Sequence, residues 1–462
     1  MSTKIPHPLR KLITGNLHQL NGENIMDRFI AVTEGYRPIL ELKVLNIVLY
    51  IINDVDLAKE VYDDNFYDKF IDRPIEHLRS VAGDGLFTAH TEEENWAKAH
   101  RILTPAFGHE AIANYVPMML DNVQKLLDRW TKNGNNIDVC EDMTRLTFEV
   151  IGVCGFDYSF GCFDNEEQHP FVEAMIFAIE ECVRRARTAP FMLPLRFKKN
   201  KLFNRYVEYM NNLLDDVIQK RRSNPDEYHD KIDLLNLMLK STDDSTASSL
   251  SDENIRHQIV TFMVAGHETT SALLSFALYN LTENKAILKR AYAEVDAFFA
   301  KDAKRTIGHE DFMKFEYLRQ ILMETLRLYP PLALFTRYSK EDRFIGKEKY
   351  PIKANTAIIM MAYHLHRDPK HWGPTPEKFD PEHFSKEAFR KRDRDAFKAF
   401  GHGLRSCIGQ HFAMLEAVVT LAKILQNFEF SYSTPYTLTY AESVTLRPDN
   451  LKLDFKRRKQ LS

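Results

Sequence analysis

The sequence is short of cysteine, of net charge and of long apolar runs, and each shortage excludes a class of protein. Five cysteines are present, an odd number without paired spacing, so a secreted disulfide scaffold is excluded and a reducing compartment is favoured. Most of these thiols are expected to be small buried apolar groups. A net charge of -3 gives no sign of a nucleic-acid partner. The N-terminal residues hold no apolar run resembling a signal or an anchor, so we expect a soluble cytoplasmic protein.

The most apolar stretch, QIVTFMVAGHETTSALLSFALYNL, covers residues 258–281. His267 and Glu268 interrupt it, and a carboxylate at the middle of a bilayer costs about 2.5–3.5 kcal/mol on insertion scales. The stretch therefore predicts a buried helix of a soluble protein, and we expect no membrane anchor.

The order of the patterns along the chain predicts a mainly α protein with a small β-rich region. Residues 38–53 are β-branched and apolar without helical spacing, which indicates strands. Ser251 is a good N-cap for a long helix that reaches about residue 283, and a second helix stops at Pro330. We expect one domain over residues 1–462, with β-rich parts at about 35–75 and 335–365 and helical parts at about 90–330 and 407–427.

The stretch FGHGLRSCIG, residues 400–409, places one cysteine behind two glycines and an arginine. Gly401 and Gly403 permit the close approach of a flat ligand, and Arg405 supplies a positive charge. Cys407 is expected to open an apolar helix, whose N-terminus favours the thiolate. A zinc cluster of His402, Cys407 and His411 is disfavoured because no CxxC and no second cysteine or histidine pair accompanies them. HETTS at 267–271 lacks the second histidine of a zinc peptidase. A single thiolate on such a loop is what the haem iron of monooxygenases accepts.

This run, Phe400-Gly401-x-Gly403-x-Arg405-x-Cys407-x-Gly409, resembles the haem-binding signature of the cytochrome P450 family. The stretches NWAKAHRIL, AGHETT and ETLR follow the family's order, and the resemblance covers residues 65–450 or so. It implies the cytochrome P450 fold, with a long central helix over haem b and Cys407 as the iron ligand. It assigns to the haem and its propionates Arg405, Trp96, His100, Phe400, Gly401, Ala265 and, as a weaker candidate that could equally be a solvated lysine, Lys69.

The resemblance also assigns roles in dioxygen activation and in the structure behind the cysteine loop. Thr269 would hydrogen-bond dioxygen or a nearby water, and Glu268 with Thr269 would relay protons. Glu324 and Arg327 would form a buried pair that a third residue joins. That third residue is His383 here, where the family usually has arginine, and a histidine can be neutral at pH 7, so we expect a weaker or pH-sensitive network.

The similarity is greatest to the haem domains of soluble bacterial fatty-acid hydroxylases that are often fused to a flavin reductase. It implies that Phe87 stands over the distal haem face. An apolar substrate channel would be lined by Leu78, Ile179, Met263, Leu332, Leu334 and Val444, although each could be an ordinary core residue. The relatives' carboxylate-binding arginine and tyrosine correspond to Ile47 and Ile51, so either Arg73 replaces them or the substrate is less acidic.

The expected reaction is C–H hydroxylation of an apolar chain-like substrate, a fatty acid or a derivative, with dioxygen and two electrons. No flavin or nicotinamide fingerprint follows, so electrons are expected from an FMN/FAD reductase, a ferredoxin or a reductase domain outside this sequence. The basic segment at 386–400 could dock such a partner, or could simply be a solvated loop. A peroxide-driven peroxygenase and a non-catalytic haem carrier or gas sensor are the alternative functions.

Overall fold

The computed structural model describes residues 3–20, 25–165, 167–441 and 445–459. The chain divides into two compact units. The first comprises Met1–Asp72 and Met323–Cys407, and the second comprises Arg73–Leu322 and Ile408–Ser462.

The helices are numbered in chain order. They are α1 Leu17–Leu20, α2 Ile25–Glu34, α3 Val55–Val61, α4 Arg73–Ala82, α5 Glu94–Leu103, α6 His109–Ala113, α7 Val116–Lys132, α8 Val139–Phe156, α9 Pro170–Arg187, α10 Phe197–Ser223, α11 Leu234–Lys240, α12 Asp252–Glu283, α13 Lys285–Phe299, α14 Glu316–Leu328, α15 Ala362–Leu365, α16 Pro369–Trp372, α17 Lys386–Lys391 and α18 Gln410–Asn427.

The strands are short and are numbered in the same way. They are β1 Ile39–Val44, β2 Ile47–Ile52, β3 Asp68–Lys69, β4 Ile137–Asp138, β5 Phe335–Tyr338, β6 Arg343–Ile345, β7 Tyr350–Ile352, β8 Ala357–Met360, β9 Phe428–Tyr432, β10 Tyr440–Ala441, β11 Arg447–Pro448 and β12 Lys452–Arg457.

The first unit contains a five-stranded sheet with the order β1-β2-β8-β5-β3. All its pairs are antiparallel except β2 with β8, which is parallel. Alternate residues of the same strands enter two separate apolar clusters: Ile39 and Ile52 belong to one, whereas Leu40 and Ile51 belong to the other. Because strand side chains alternate between faces, this sheet is covered by apolar side chains on both sides.

The second unit is built around α12. The hydroxyl of Ser251 accepts the Asn254 N–H at 3.1 Å, which begins the helix where the sequence predicts it. The helix is buried on nearly all sides, as expected for a helix with no polar face, and packs most extensively against α8. Thr147 of α8 donates its hydroxyl to the His267 carbonyl at 2.9 Å, which fixes the two helices together near the middle of α12.

The mainly α fold with a small β-rich region is confirmed, as are the strands at 38–53 and the helix end before Pro330. One expectation was wrong: Cys407 does not open the last helix. Residues 408 and 409 form a turn, Gly409 is the N-cap and α18 begins at Gln410. The Cys407 N–H donates to the Phe400 carbonyl at 2.8 Å, which closes the loop and keeps Cys407 in it. The single-domain expectation stays a prediction. Among the described residues, none of the helices combines the length and apolarity needed to cross a bilayer.

Candidate active site

The cysteine loop is held by two glycines and one aspartate. Gly401 and Gly403 have φ of +75° and +67°, which side chains other than glycine rarely adopt. A Cβ added to Gly403 would lie 2.0 Å from an Asp64 carboxylate oxygen, and that oxygen accepts the Leu404 N–H at 2.9 Å. Asp64 is also paired with Arg337. The loop conformation is therefore fixed by close packing against a charged pair.

Cys407 differs from the other four cysteines in its surroundings. All five lie in the described part of the chain, and Cys407 alone is exposed. Burial raises the pKa of the other four thiols, to about 12 for Cys140 and Cys182, so these groups stay protonated at neutral pH. Cys407 is thus the thiol that a ligand can reach.

Lys69 and Arg405 form a pair of like charges in the first unit. Lys69 lies in β3, and its pKa is held well below the usual value, first by burial and then by the charge of Arg405. An anion bound beside these two groups would favour the charged form of Lys69. The arrangement fits the propionates of a haem, which would neutralise both charges.

Glu324 is the centre of a buried network in the first unit. Its carboxylate receives a two-pronged hydrogen bond from Arg327, with both distances 2.7 Å, and neither side chain is exposed. The Asp380 N–H donates to Glu324 Oε1 at 2.8 Å, and His383 Nδ1 lies 3.1 Å from the same oxygen. The structure therefore brings together the three residues that the sequence assigned to this network.

Arg392 adds a cation that the sequence analysis missed. It donates to the His383 carbonyl, and its guanidinium carbon lies 3.9 Å from the centre of the Trp372 ring. Burial lowers the pKa of Arg392 to about 10, while Glu324 raises it and Arg327 lowers it. The histidine in the third place is therefore accompanied by a nearby guanidinium from the segment before the cysteine loop. Arg392 stands nine residues after His383, and no short motif marks it.

His366 connects α14 with the segment that leads to the cysteine loop. Its Nδ1 lies 3.2 Å from the Arg327 carbonyl, and the Lys398 N–H donates to its Nε2 at 3.0 Å. Burial, followed by the charges of Arg327 and Arg367, lowers the pKa of His366 to about 3. The ring is therefore neutral, with Nδ1 carrying the proton and Nε2 accepting.

The middle of α12 has one face that is not filled by protein. Ala265 is exposed and Thr269 is half-buried, although most of the neighbouring residues are buried. These two residues are one helical turn apart, so they share a face. The Thr269 hydroxyl donates to the Ala265 carbonyl at 2.8 Å. The open space over Ala265 fits the room that a ligand needs beside this helix.

Glu268 lies next to a small polar cavity within the second unit. The cavity measures about 20 Å³, enough for one water molecule. Its lining includes Glu268 and His267 of α12 and also Thr144, Ile176, Glu180, Ser271, Thr445 and Arg447. Burial lowers the pKa of His267 to about 4, and its Nδ1 lies 2.6 Å from the Met263 carbonyl, so the imidazole is neutral and donates there. Apart from Glu268, these cavity residues belong to no motif that marks them in the sequence.

Trp96 and His100 lie on one face of α5, as predicted. Their rings stack with centroids 5.3 Å apart. Trp96 is buried and His100 is half-buried, so one turn of the helix carries an aromatic surface with a nitrogen at its edge.

The loop that carries Phe87 is tied to the start of α12. Asp84 accepts hydrogen bonds from His257 Nδ1 at 2.7 Å, from Asn95 at 2.6 Å and from Asn254 at 2.8 Å. The hydrogen bond from His257 is the main cause that holds the pKa of Asp84 well below its usual value. Phe87, three residues later, is half-buried. The Asp84 carboxylate, which accepts three hydrogen bonds, therefore holds this loop.

The residues expected to line a channel fall into three groups. Leu78, Ile179 and Met263 are buried in α4, α9 and α12 of the second unit. In the first unit, Ile51 is buried in the cluster against which the half-buried Leu334 packs, while Leu332 and Ile47 are 38% and 49% exposed. Val444 lies outside the described residues. Arg73, the alternative cation, donates to the Thr188 carbonyl at 3.0 Å.

A family profile described as Cytochrome P450 matches residues 5–455 of this chain. The chain belongs to the cytochrome P450 family, whose cofactor is haem. Within the first unit, the exposed Cys407 and the basic side chains of Lys69 and Arg405 are features that fit such a group.

Three relatives illustrate the similarity. The chain is 39% identical over 460 residues to bifunctional cytochrome P450/NADPH–P450 reductase 2 of Bacillus subtilis, covering 99% of this chain and 43% of that protein. It is 40% identical over 459 residues to the bifunctional cytochrome P450/NADPH–P450 reductase of Bacillus cereus, with coverages of 99% and 42%. It is 37% identical over 451 residues to a self-sufficient cytochrome P450 monooxygenase of Phanerodontia chrysosporium, with coverages of 97% and 42%. The chain spans less than half the length of these relatives.

Proposed function

We propose that this chain is the haem domain of a monooxygenase that hydroxylates C–H bonds of an apolar, chain-like substrate, a fatty acid or a derivative. The observation that carries the proposal is the exposed thiol of Cys407, set in a loop with two left-handed glycines just before α18. Haem, when bound to a thiolate, supplies activation of dioxygen. The full reaction includes electron supply and therefore extends beyond this chain.

Cys407 provides the thiolate ligand in this proposal. Arg405 and Lys69 neutralise the propionates, and Trp96 and His100 of α5 contribute an aromatic face and a hydrogen-bonding nitrogen. Phe400 and Gly401 shape the loop at the thiolate. Glu324, Arg327 and His383 hold the chain segment behind that loop, so their role is to position the loop rather than to react.

Glu268 and Thr269 supply protons to the reacting oxygen in this proposal. The carboxylate of Glu268 lines the polar cavity, where one water fits beside Arg447 and Thr445. A proton can pass from that water to Glu268 and then towards the Thr269 side of the helix. His267 is neutral and donates to Met263, so it is not a proton source near neutral pH.

The substrate is apolar because the proposed channel residues are apolar, with Phe87 as the residue that limits which carbon reacts. Ile47 and Ile51 offer no donor to a carboxylate, and Ile51 is packed inside an apolar cluster. A fatty acid would therefore need another cation such as Arg73, whereas an alcohol or an ester would need none.

Electrons come from an NADPH-dependent flavin reductase in this proposal. The two Bacillus relatives are fusions with such a reductase, and the basic segment at 386–400 could receive an acidic redox partner. The cytoplasm is the compartment where such a partner and reduced thiols both occur.

The test is a titration of the purified ferric holoprotein with a long-chain fatty acid and with the matching fatty alcohol, followed by the Soret band. A shift of the Soret band with both the acid and the alcohol, at similar affinity, supports an apolar channel without a side chain that binds the carboxylate. A clear preference for the acid, lost in Arg73→Gln, assigns the anchor to that arginine. If neither ligand shifts the Soret band, the proposal of a chain-like substrate is wrong.

A second arm tests the iron ligand and the reaction class. Cys407→Ser should lose the thiolate signature of the Soret band, whereas Cys182→Ser, which changes a buried thiol, should keep it. Product formation with reductase, NADPH and dioxygen supports the monooxygenase. Turnover with peroxide alone would indicate a peroxygenase, and haem binding without any oxidation would indicate a carrier or sensor.

A further inference from the structure

Arg392 is a cation of the first unit that its immediate neighbours satisfy only in part. Its Nε and Nη1 are buried, and neither has a hydrogen-bond partner among the described residues. Its Nη2 donates to the His383 carbonyl. A buried guanidinium that is satisfied on one side only costs free energy, so its presence here needs a compensating interaction.

The compensating charge comes from Glu324. Burial lowers the pKa of Arg392 to about 10, while Glu324 raises it and Arg327 lowers it. Glu324 is therefore the carboxylate that favours the charged form of Arg392. The two side chains are joined through His383, whose Nδ1 lies 3.1 Å from Glu324 Oε1 and whose carbonyl accepts from Arg392. At a pKa of about 10 the guanidinium is charged at neutral pH.

Trp372 brings two guanidinium groups together. The indole is 3% exposed, and the guanidinium carbons of Arg327 and Arg392 lie 4.9 and 3.9 Å from the centre of its ring. The face of an indole attracts a cation, and the attraction is stronger when the pair is removed from water. The buried carboxylate of Glu324 offsets the repulsion between the two cations. Glu324, Arg327 and Arg392 thus form one charge cluster.

This cluster has the charges that the family pattern supplies with three side chains. In that pattern, a glutamate and an arginine on one helix are joined by an arginine at the place of His383. Here the second guanidinium stands nine residues later in the chain, and His383 contributes a hydrogen bond. The network therefore has a permanent second cation, although a histidine occupies the third place.

Arg392 also packs against the chain segment that leads to the cysteine loop. Its guanidinium carbon lies 5.2 Å from the centre of the Phe384 ring, and the Phe384 and Phe397 ring centres are 5.0 Å apart. The next residue, Lys398, accepts the N–H of Gly401 at its carbonyl, at 3.0 Å. A displacement of Arg392 is therefore transmitted through two aromatic rings to the first glycine of the loop.

We propose that Arg392 is a positioning residue of the haem site: it supplies the second positive charge beside Glu324, in place of the arginine that His383 replaces, and it fixes the segment that leads to the cysteine loop. This inference rests on the proposed role of Cys407 as the iron ligand. Arg392 acts through Trp372 and the phenylalanine rings and takes no part in the reaction itself. The network needs the charge of this side chain more than its bulk, so a guanidinium at residue 383 should make Arg392 dispensable.

The test measures how fast the purified holoprotein loses haem to an excess of apomyoglobin. Arg392→Met keeps an unbranched apolar side chain against Trp372 and removes the charge. Haem loss from this variant should be about tenfold faster than from the native protein, the lower end of the effect of removing a group that orients a metal ligand. The same variant should lose part of the thiolate signature of the Soret band in the ferrous carbon monoxide complex.

His383→Arg provides a rescue that a packing role would not show. In the His383→Arg background a guanidinium already stands at the third place, so Arg392→Met should change the rate of haem loss by less than about twofold. The matched control is Arg343→Met, in the same unit. The Arg343 guanidinium carbon lies 4.0 Å from the centre of the Phe66 ring, and its partner Glu341 is largely exposed. This change should leave haem loss and the Soret band unaltered in both backgrounds.

Two results would overturn the proposal. A native rate of haem loss in Arg392→Met would mean that the cation is not needed, and an increase of about tenfold in both backgrounds would mean that Arg392 acts by packing alone. If Arg392→Met does not fold, the yield of folded holoprotein replaces the rate: recovery in the double variant supports the proposal, and no recovery contradicts it. A failure of the proposed function is seen separately, as an unchanged Soret band in Cys407→Ser, because haem loss can be compared among the variants whatever group binds the iron.

Discussion

The hydrogen bond between His257 and Asp84 is expected to hold the loop that carries Phe87. His257 lies in the second turn of α12, and Asp84 precedes Phe87 by three residues. A Cβ added to Gly83, which has φ of +50°, would lie 2.2 Å from the His257 ring, so the ring packs directly on the loop. His257→Phe keeps a ring in that space and removes only the donor.

The structure sets the size of the effect. A hydrogen bond to a charged group contributes about 1.5–3 kcal/mol, and the His257 and Asp84 side chains are 18% and 23% exposed, which favours the lower half of that range. Asp84 keeps its two amide donors, from Asn95 and Asn254. A loss of about 1.5–2 kcal/mol raises the equilibrium constant for opening of the loop about 10- to 30-fold.

Hydrogen exchange at the backbone amides of the loop measures this opening directly. The Leu86 N–H donates to Gln258, and the Thr88 N–H donates to the Gly85 carbonyl, so both amides are protected in the closed loop. Exchange at these amides should accelerate 10- to 30-fold in His257→Phe, while amides in the middle of α8 should not change.

His229→Phe is the matched control for this experiment. His229 and Asp230 form a pair of the same chemistry at 2.9 Å, but both side chains are largely exposed, so its loss should change stability by less than about 0.5 kcal/mol. If His257→Phe leaves exchange in the loop unchanged, or if both variants behave alike, the hydrogen bond does not hold this loop.

Three further predictions concern buried ionisable groups. His383→Ala removes a contact to the buried Glu324 carboxylate and should lower the free energy of unfolding by about 1–3 kcal/mol in urea; no change would mean that Arg327 and the Asp380 N–H satisfy the carboxylate without it. Burial raises the pKa of Glu416 well above its usual 4.5, so the folded state retains a proton that the unfolded state releases, and stability falls as the pH rises above about 4.5. The free energy of unfolding of Glu416→Gln, measured relative to that of the native protein, should therefore rise by up to about 1.4 kcal/mol for each pH unit above about 4.5. A difference between the two proteins that does not change with pH would refute this. Arg221→Met leaves a buried aspartate without its partner at 2.9 Å and should cost about 3–5 kcal/mol, whereas a cost below about 1 kcal/mol would show that the pair is solvated.

The parts of the fold that follow from local patterns were predictable. The strands at 38–53 are a continuous β-branched run, and Ser251 marks the start of α12, so periodicity and capping were sufficient. The start of α18 was misplaced by three residues, because the Cys407 N–H donates to Phe400, seven residues earlier, and a contact of this kind leaves no periodic signal.

The site was predictable where its residues stand in short motifs and not where they are assembled by the fold. Glu324 and Arg327 are three residues apart on one helix, so their pairing could be expected, and His383 was assigned to them by resemblance. Arg392 reaches the same network from a different segment. The cavity beside Glu268 likewise combines residues from α8, α9, α12 and the C-terminal segment at 445–447, and sequence spacing carries no information on such distances.

The hydrogen bond from Thr269 to the Ala265 carbonyl gives the Thr269 hydroxyl two alternative hydrogen-bonding states. A hydroxyl has one hydrogen, so while that bond exists Thr269 can only accept a hydrogen bond from a molecule on the open face of α12. To donate to that molecule, the hydroxyl must release the carbonyl, either by rotating about the Cβ–Oγ bond or by changing its χ1 rotamer. Valine in its place would remove both functions, whereas serine, which lacks the methyl group that restricts χ1, would keep both and exchange between them more freely.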